Sequence, residues 1–307
     1  MLRYIIQRLA WTAIVLLGVS VITFGLVFAM PGDPAQALVG GRASKDSIEM
    51  VRKQYGLDQP LHTQYFNYMG RLLRGDLGDS FYFRQPVAQA LLARFPATAM
   101  LAVAIIVVAI TIGIPLGVIG ALKSNTAIDR GLMITQLVAI SMPSFFLGLL
   151  LIYLFAFQLK LLPVGGYGSL KQFILPTLSV ALPWAGWYAI ILRSNMLEAL
   201  SNDYVRTAYA KGLSQRSAAL RHMLPNAILP VITMVGMDLA GLLSGIALVE
   251  YIFNWPGIGW QTLQAAQRLD VPMIMGSVLF GALIISLANL VVDLLYTVLD
   301  PRVRLRA

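Results

Sequence analysis

The side chains that most often do chemistry in proteins are few in this sequence. It contains two histidines, His62 and His222, and no cysteine, which excludes a disulfide, a thiolate metal site and a cysteine nucleophile. Both histidines lie outside the apolar stretches, so the buried serine–histidine pair of an intramembrane protease is not expected. The sequence has no phosphate loop of the Gly-x-x-x-x-Gly-Lys-Ser/Thr kind. We therefore expect no catalytic residue, no metal site and no cofactor bound by this chain.

Carboxylates inside apolar stretches are more informative, because each costs about 2.5 to 3.5 kcal/mol near the centre of a membrane helix. Asp238 lies near the middle of one stretch, Asp293 toward the end of another, and Glu250 at a boundary. For Asp238 two interpretations stay open: it lines a translocation path and meets a cationic solute group, or it makes an interhelical hydrogen bond. For Asp293 and Asp300 a structural pairing with an arginine or a helix terminus is favoured.

The polar segment 193–224 contains a pattern for two short helices. Asn202 can cap a helix from Asp203 to about Lys211, and Gly212 can supply the left-handed residue that ends it. Ser214 can cap a second helix that leads to Leu224 and Pro225. A helix of this length, about 13 Å, is not stable alone in water. It is expected either to lie on lipid headgroups or to insert, as an apolar and basic knob, into a groove on a soluble protein.

The elements that must position these residues are membrane helices. Of the 307 residues, 58% are hydrophobic and 12% are charged, whereas a soluble domain carries about a quarter charged residues. Six stretches are long enough to cross a hydrocarbon core about 30 Å thick. They lie near residues 9–30, 97–122, 132–159, 173–192, 225–250 and 273–299. The first is longer than the apolar region of a secretory signal and is expected to be a retained helix.

The net charge of +9 is explained by topology and not by nucleic acid, because the basic residues form no aromatic-interleaved patch. Lys and Arg concentrate in alternate short loops, which is the pattern of cytoplasmic loops. The residues on that side are Arg3, Arg8, Lys123, Arg130, Arg193, Arg206, Lys211, Arg216, Arg221, Arg302, Arg304 and Arg306. Both termini are therefore expected in the cytoplasm. The segment 31–96 is long enough to cross the membrane despite its charge.

Three regions follow: an N-terminal tail and first helix (1–30), an extracytoplasmic insert (31–96), and a five-helix core (97–307) that contains the loop 193–224. In the insert, a short amphipathic helix is expected from Ser47 to Tyr55, ending at Gly56. Its aromatic run, Tyr65 to Met69, is expected to pack the insert on the membrane helices as a cap, to form part of a docking surface for an extracytoplasmic partner, or to do both.

Glycine pairs and prolines indicate close helix contacts and helix interruptions. Gly113 and Gly117, and again Gly241 and Gly245, place small residues one turn apart, where two helices can approach closely. Prolines that interrupt apolar stretches are tolerated where neighbours or water satisfy the freed carbonyls. They are Pro115, Pro143, Pro176, Pro183 and Pro230.

The segment from Asp203 to Ser214 resembles the coupling loop of binding-protein-dependent ABC importer permeases of the dipeptide, oligopeptide and nickel class. In those permeases Glu-Ala-Ala is followed after three residues by Gly and after nine more by Ile-x-Leu-Pro. Alignment on Gly212 places Arg206-Thr207-Ala208 and His222-Met223-Leu224-Pro225 on these motifs. The departures at Arg206 and His222 are usual in the peptide branch. Glu198-Ala199-Leu200 is similar to the Glu-Ala-Ala motif in sequence, but its distance to Gly212 does not fit the motif.

Further fragments resemble the first of the two permeases in such systems, in the same order and spacing. They are Met30-Pro31-Gly32-Asp33-Pro34, Tyr55-Gly56-Leu57-Asp58-Gln59-Pro60-Leu61, Gly75-Asp76-Leu77-Gly78, Glu250-Tyr251-Ile252-Phe253-Asn254-Trp255-Pro256-Gly257-Ile258-Gly259 and Asp300-Pro301-Arg302. Asp270-Val271-Pro272 departs from the family's commoner Asp-Tyr-Pro, which leaves the contacts of that loop open.

The resemblance implies an all-α polytopic protein of the bacterial inner membrane, with six transmembrane helices, the type I importer permease fold and an external insert. It implies a second homologous permease, two cytoplasmic ABC ATPases that hold ATP and Mg, and an extracytoplasmic solute-binding protein. Residues expected to couple the chain to an ATPase are Asp203, Tyr204, Val205, Arg206, Thr207, Ala208, Lys211, Gly212, Leu224 and Pro225. Dipeptides, longer peptides, glutathione, opines and nickel chelates are not distinguished.

An ion-coupled secondary transporter is the alternative function. Such a protein is also a basic chain with six membrane helices, but it does not need a coupling loop of this spacing. Co-purification of an ATPase would separate the two functions.

Overall fold

The computed structural model describes residues 2–29, 32–39 and 44–299, and these ranges are helical with short connections and without a β-strand. The helices are α1 (Leu2–Ala29), α2 (Pro34–Val39), α3 (Lys45–Gln54), α4 (Leu61–Leu72), α5 (Val87–Leu122), α6 (Ala127–Ser141), α7 (Ser144–Leu151), α8 (Leu170–Ala199), α9 (Asp203–Ala210), α10 (Gln215–Ala218), α11 (Leu224–Ala227), α12 (Leu229–Leu243), α13 (Ala247–Ile252), α14 (Ile258–Gln267) and α15 (Val271–Leu299). Two π-helical segments, Ile152–Gln158 and Ala219–Met223, follow α7 and α10. The prediction of an all-α fold is confirmed.

Some sequence predictions fall outside this part of the chain. They concern Met30, Pro31, Asp300, Pro301, Arg302, Arg304 and Arg306.

Among the described residues, four helices are long and apolar enough to cross a membrane: Ile6–Ala29, Val87–Leu122, Leu170–Ala199 and Val271–Asp293. Two bent pairs raise the number to six if each pair is one span. The first pair, α6 and α7, is bent by 102°, and the second, from Gln215 to Leu243, is bent by 47°. Each of these segments overlaps one of the six predicted apolar stretches, so the described residues support between four and six spans.

Prolines account for both bends. Pro143 has no N–H to continue α6, and it holds the preceding Met142 in an extended conformation with φ −87° and ψ 123°. Pro230 lies at the start of α12, next to the second bend. Pro176 and Pro183 are accommodated inside the continuous helix α8, and Pro115 lies inside α5.

The fifth predicted stretch ends earlier than expected. Helix α12 stops at Leu243 and does not continue to Glu250, because Gly245 adopts φ +108°. A Cβ at Gly245 would lie 2.7 Å from the backbone nitrogen of Gly259, so the two chain segments touch there. A Cβ at Gly241 would meet nothing within 4 Å among the described residues, so the close helix approach predicted at this position is not seen in that part of the chain.

The chain divides into two compact units. The first comprises residues 1–98, 243–251 and 256–290. In its core Tyr68 is buried against α1, α5, α14 and α15, and Met69 packs beside it. Other members of this cluster are Val27, Val87, Leu91, Ile258, Met273 and Met275. The cap interpretation of the insert is thus supported for Tyr68 and Met69, whereas Phe66 is 70% exposed.

The second unit comprises residues 99–242, 252–255 and 291–307. Helix α8 is its centre and packs against α6 and α7. Helix α5 lies close to α8: a Cβ at Gly113 would be 2.7 Å from the carbonyl oxygen of Ala185, and one at Gly117 would be 2.9 Å from that of Ala189. The predicted close contact at Gly113 and Gly117 is confirmed.

Candidate functional site: the α9 segment, a membrane recess and two buried carboxylates

The α9 segment has the ends that its sequence predicts. Asn202 occupies the N-cap position with extended backbone, although its side chain makes no capping hydrogen bond. At the other end Gly212 has φ +80°. Its N–H donates to the carbonyl of Tyr209 at 2.9 Å, and the N–H of Leu213 donates to that of Ala208 at 3.2 Å. This is the Schellman arrangement, which needs a left-handed residue after the helix.

A buried stripe holds α9 on the protein. Val205 is 0% exposed and Ala208 is 3% exposed. The helix packs on α10 and the following π-helical segment, and Ser214 caps α10 by accepting a hydrogen bond from the N–H of Ser217. Burial of two side chains on a neighbouring helix gives this short element the support that it lacks alone.

The opposite side of α9 is exposed. Its solvent-facing residues are Asp203, Tyr204, Arg206, Thr207, Tyr209 and Ala210, followed by Lys211 and Gly212. Tyr209 was not among the residues predicted to couple, although it is 38% exposed and lies one helical turn after Val205, at the edge of the buried stripe. Leu224 and Pro225 belong to α11 and not to α9. Leu224 is half-buried and Pro225 is exposed.

A buried ion pair joins the ends of two membrane helices close in sequence to α9. Arg193, near the end of α8, donates from Nε to Oδ1 of Asp129 at 2.6 Å and from Nη2 to Oδ2 at 2.7 Å. The N–H of Asn125 also donates to Oδ2 of Asp129, at 3.0 Å. Sequence reasoning used Arg193 only as a topology signal and did not consider Asp129. The bidentate pair fixes the start of α6 to the end of α8.

Asp238 makes the interhelical hydrogen bond that was one of its two predicted roles. The hydroxyl of Tyr188 on α8 donates to its Oδ2 at 2.8 Å. Asp238 also lines a recess of about 350 Å³ at the bend between α6 and α7. Other lining residues are Ile140, Met142, Pro143, Ser144, Pro183, Trp184 and Trp187. Asp293 lies half-buried on α15.

Glu250 is fully buried and organises the motif that follows it. Its Oε1 accepts a hydrogen bond from Thr98 Oγ1 at 2.9 Å, and its Oε2 accepts one from the N–H of Trp260 at 2.9 Å. A Cβ at Gly257 would lie 2.4 Å from Oε2 and one at Gly259 would lie 3.0 Å from it, so both positions require glycine. Burial raises the pKa of the Glu250 carboxyl above its ordinary value, and these hydrogen bonds only partly offset the effect.

Asp270 makes the main polar contacts of the loop Asp270-Val271-Pro272, which the sequence left open. It is fully buried and accepts hydrogen bonds from Ser80 Oγ and from the N–H groups of Phe81, at 3.1 Å, and Tyr82, at 3.0 Å. The N–H of Met273 donates to it at 3.3 Å, which caps α15. Asp270 therefore ties the loop after Gly75-Asp76-Leu77-Gly78 to the start of α15.

The described residues form an all-α chain with four to six candidate membrane spans, and the short helix α9 lies in a polar segment between two of them. Two family models match it: "Binding-protein-dependent transport system inner membrane component" over residues 113–305, and the N-terminal component of the same systems over residues 1–102. The chain belongs to this family of binding-protein-dependent permeases.

Known proteins are similar to this chain over almost its whole length. The chain is 41% identical over 304 residues to the glutathione transport system permease protein GsiC of Escherichia coli O6:H1, with 99% of each chain covered. It is 40% identical to the proteins of the same name from Salmonella typhi and Escherichia coli K12, with the same coverage. The chain is thus a multi-pass inner-membrane permease subunit of an ABC importer, and the alternative of an ion-coupled secondary transporter is not supported.

Proposed function

We propose that this permease is driven by ATP hydrolysis in separate cytoplasmic subunits, and that the exposed face of α9 is the surface on which one of them docks. The observation that carries the proposal is the division of α9 into two faces. Val205 and Ala208 are buried in the chain's own fold, while Tyr204, Arg206 and Thr207 are exposed. Gly212, which ends the helix, has a positive φ that favours glycine.

The same division argues against a helix that lies on lipid headgroups. An interfacial helix needs an apolar face turned toward the membrane. The most apolar residues of α9, Val205 and Ala208, are already covered by protein, so only the rings of Tyr204 and Tyr209, 40% and 38% exposed, remain for lipid. A rigidly held knob with aromatic rings and basic residues at its surface suits a protein groove better.

The remaining parts of the assembly follow from the family. We infer a second homologous permease beside this chain, two ABC ATPases that hold ATP and Mg, and an extracytoplasmic binding protein that approaches the insert. We propose that both termini and α9 lie in the cytoplasm, and the Lys and Arg of the short loops support this orientation. Because the relatives are named as glutathione permeases, glutathione or a similarly small peptide is the proposed solute.

Cross-linking tests the docking directly, because the chain has no cysteine of its own. Thr207→Cys places one thiol on the exposed face of α9, and Met50→Cys, at a position 69% exposed on α3 of the insert, is the control. With the partner subunits co-expressed, a short thiol-to-amine cross-linker should join Thr207→Cys, but not Met50→Cys, to the ATPase. Recovery of Thr207→Cys joined only to lipid headgroups would contradict the proposal.

A further inference from the structure

The recess at the bend between α6 and α7 combines features that belong to a ligand site. It has a volume of about 350 Å³ and is lined by α8 and α12 as well as by the bend. All of these elements lie in the second compact unit. Irregular backbone at membrane depth is tolerated where it lines a cavity, and broken helices in transporters commonly do so at a solute site.

The recess contains one acidic side chain. Asp238 is the one ionisable side chain among its lining residues, and it is half-exposed. Tyr188 engages Oδ2, and no hydrogen bond to Oδ1 is formed from the described part of the chain. Ile140 and Met142, at the carboxyl end of α6, also line the recess. A helix carries partial negative charge at that end, which adds to the field of the carboxylate.

Two indole rings face the same space. Trp184 and Trp187 both line the recess, and Trp187 is 46% exposed. Trp184 is held edge-on to the ring of Tyr188, with 6.5 Å between the ring centroids. Tryptophan is the aromatic side chain that attracts a cation most strongly over its face. One carboxylate with two indoles and no second acidic ligand suits an organic ammonium group better than a metal ion.

The hydrogen bond with Tyr188 does not by itself account for a carboxylate at position 238. The amide oxygen of an asparagine would accept the same bond without placing a charge in an apolar helix. The carboxylate of Asp238 is therefore not explained by the stability of the fold and points to a role in binding.

We propose that Asp238, Trp184 and Trp187 form a subsite that receives the protonated amine of the solute as it passes through the permease. This inference rests on the proposed function, since it assumes that a small peptide crosses here. The ligand class is a solute with a free primary ammonium group, such as a peptide with an unmodified amino terminus.

Uptake into proteoliposomes that contain the complete importer tests the subsite, with reduced glutathione and glutathione acetylated on its free amine as the two probes. Asp238→Asn should lower uptake of the free-amine probe about tenfold at concentrations below saturation and change uptake of the acetylated probe less than about twofold. Asp238→Glu, which keeps the charge, should retain most of the uptake. The amount of assembled importer is measured for both variants, because Asp238 also accepts the interhelical hydrogen bond from Tyr188.

The role of the tryptophans can be tested with a matched control on α1. Trp187→Leu should lower uptake of the free-amine probe about threefold, whereas Trp11→Leu, at a position 64% exposed on α1, should not. Equal loss of both probes in Asp238→Asn, or no loss of either, would overturn the subsite and leave the permease function intact. Uptake of neither probe by the unsubstituted importer would overturn the proposed solute, and this inference with it.

Discussion

Arg193 and Asp129 form a two-point ion pair between the end of α8 and the start of α6, with donor–acceptor distances of 2.6 and 2.7 Å. The side chain of Asp129 is 3% exposed and that of Arg193 is 19% exposed. Because α8 leads through three residues into α9, this pair fixes the base from which α9 extends. The pair is therefore expected to position the coupling surface as well as to stabilise the fold.

Removal of one partner should be costly. Asp129→Ala leaves the guanidinium of Arg193 without its carboxylate, and breaking a buried pair in this way costs about 3 to 5 kcal/mol. Thermal unfolding of the detergent-solubilised protein measures the loss. The control is Glu49→Gln, which removes an exposed pair with Lys53 at 3.6 Å and should change the free energy of unfolding by less than about 1 kcal/mol. Equal shifts in the two variants would contradict the assignment.

The pH dependence of stability should report on Glu250. Its pKa is raised by burial, so the folded state prefers the protonated form. The resulting stability is fully present below the ordinary glutamate pKa of about 4.3 and is lost as pH rises through the higher folded value. Glu250→Gln cannot ionise and should show a flatter decline of melting temperature above pH 4.3.

Melting temperatures of the two forms, measured at intervals from about pH 4 to pH 7, check this expectation. Glu250→Gln loses one acceptor for the N–H of Trp260, so it should be the less stable form at the acid end. A decline that is equally steep in the two forms would show that Glu250 does not titrate differently in the folded state.

Topology can be measured with single cysteines in this cysteine-free chain. Met50→Cys in the insert should react with a membrane-impermeant maleimide in intact spheroplasts, while Arg216→Cys on α10 should react only after permeabilisation. A reporter fused after Ala307 should be active in the cytoplasm. Labelling of Arg216→Cys from outside, or protection of Met50→Cys, would remove the proposed orientation.

The features that sequence reasoning predicted are those that local chemistry determines. The end of α9 follows from Gly212 and the start of α10 from Ser214, each of which acts within a few residues of its own position. Pro143 likewise predicted an interruption, because its missing N–H ends α6 whatever surrounds it. The angle of 102° at that bend depends on packing and had no local signal.

The features that it missed depend on partners far apart in the chain. Asp129 and Arg193 are separated by 64 positions, and Glu250 and Thr98 by 152. No periodicity or spacing joins such residues. The fully buried position of Asp270 was hidden for the same reason, since its partners at 80–82 lie in the loop before α5. Such long-range polar contacts can be identified only from the three-dimensional structure.

The central claim, that α9 couples this permease to an ATPase, is tested most directly by Gly212→Val with Gly75→Val as its control. Both glycines have φ +80° and open space around the missing Cβ, so each substitution carries the same backbone cost of about 1 to 2 kcal/mol. Gly75 lies in the insert, whereas Gly212 ends α9.

The measurement is ATPase co-purification together with solute uptake, at equal membrane abundance of the two variants. Gly212→Val should lower both by about tenfold, the factor that corresponds to about 1.4 kcal/mol, because the turn after α9 can no longer hold its conformation. Gly75→Val should retain the bound ATPase. If Gly212→Val co-purifies with as much ATPase as Gly75→Val and takes up solute at the same rate, α9 is not the coupling surface.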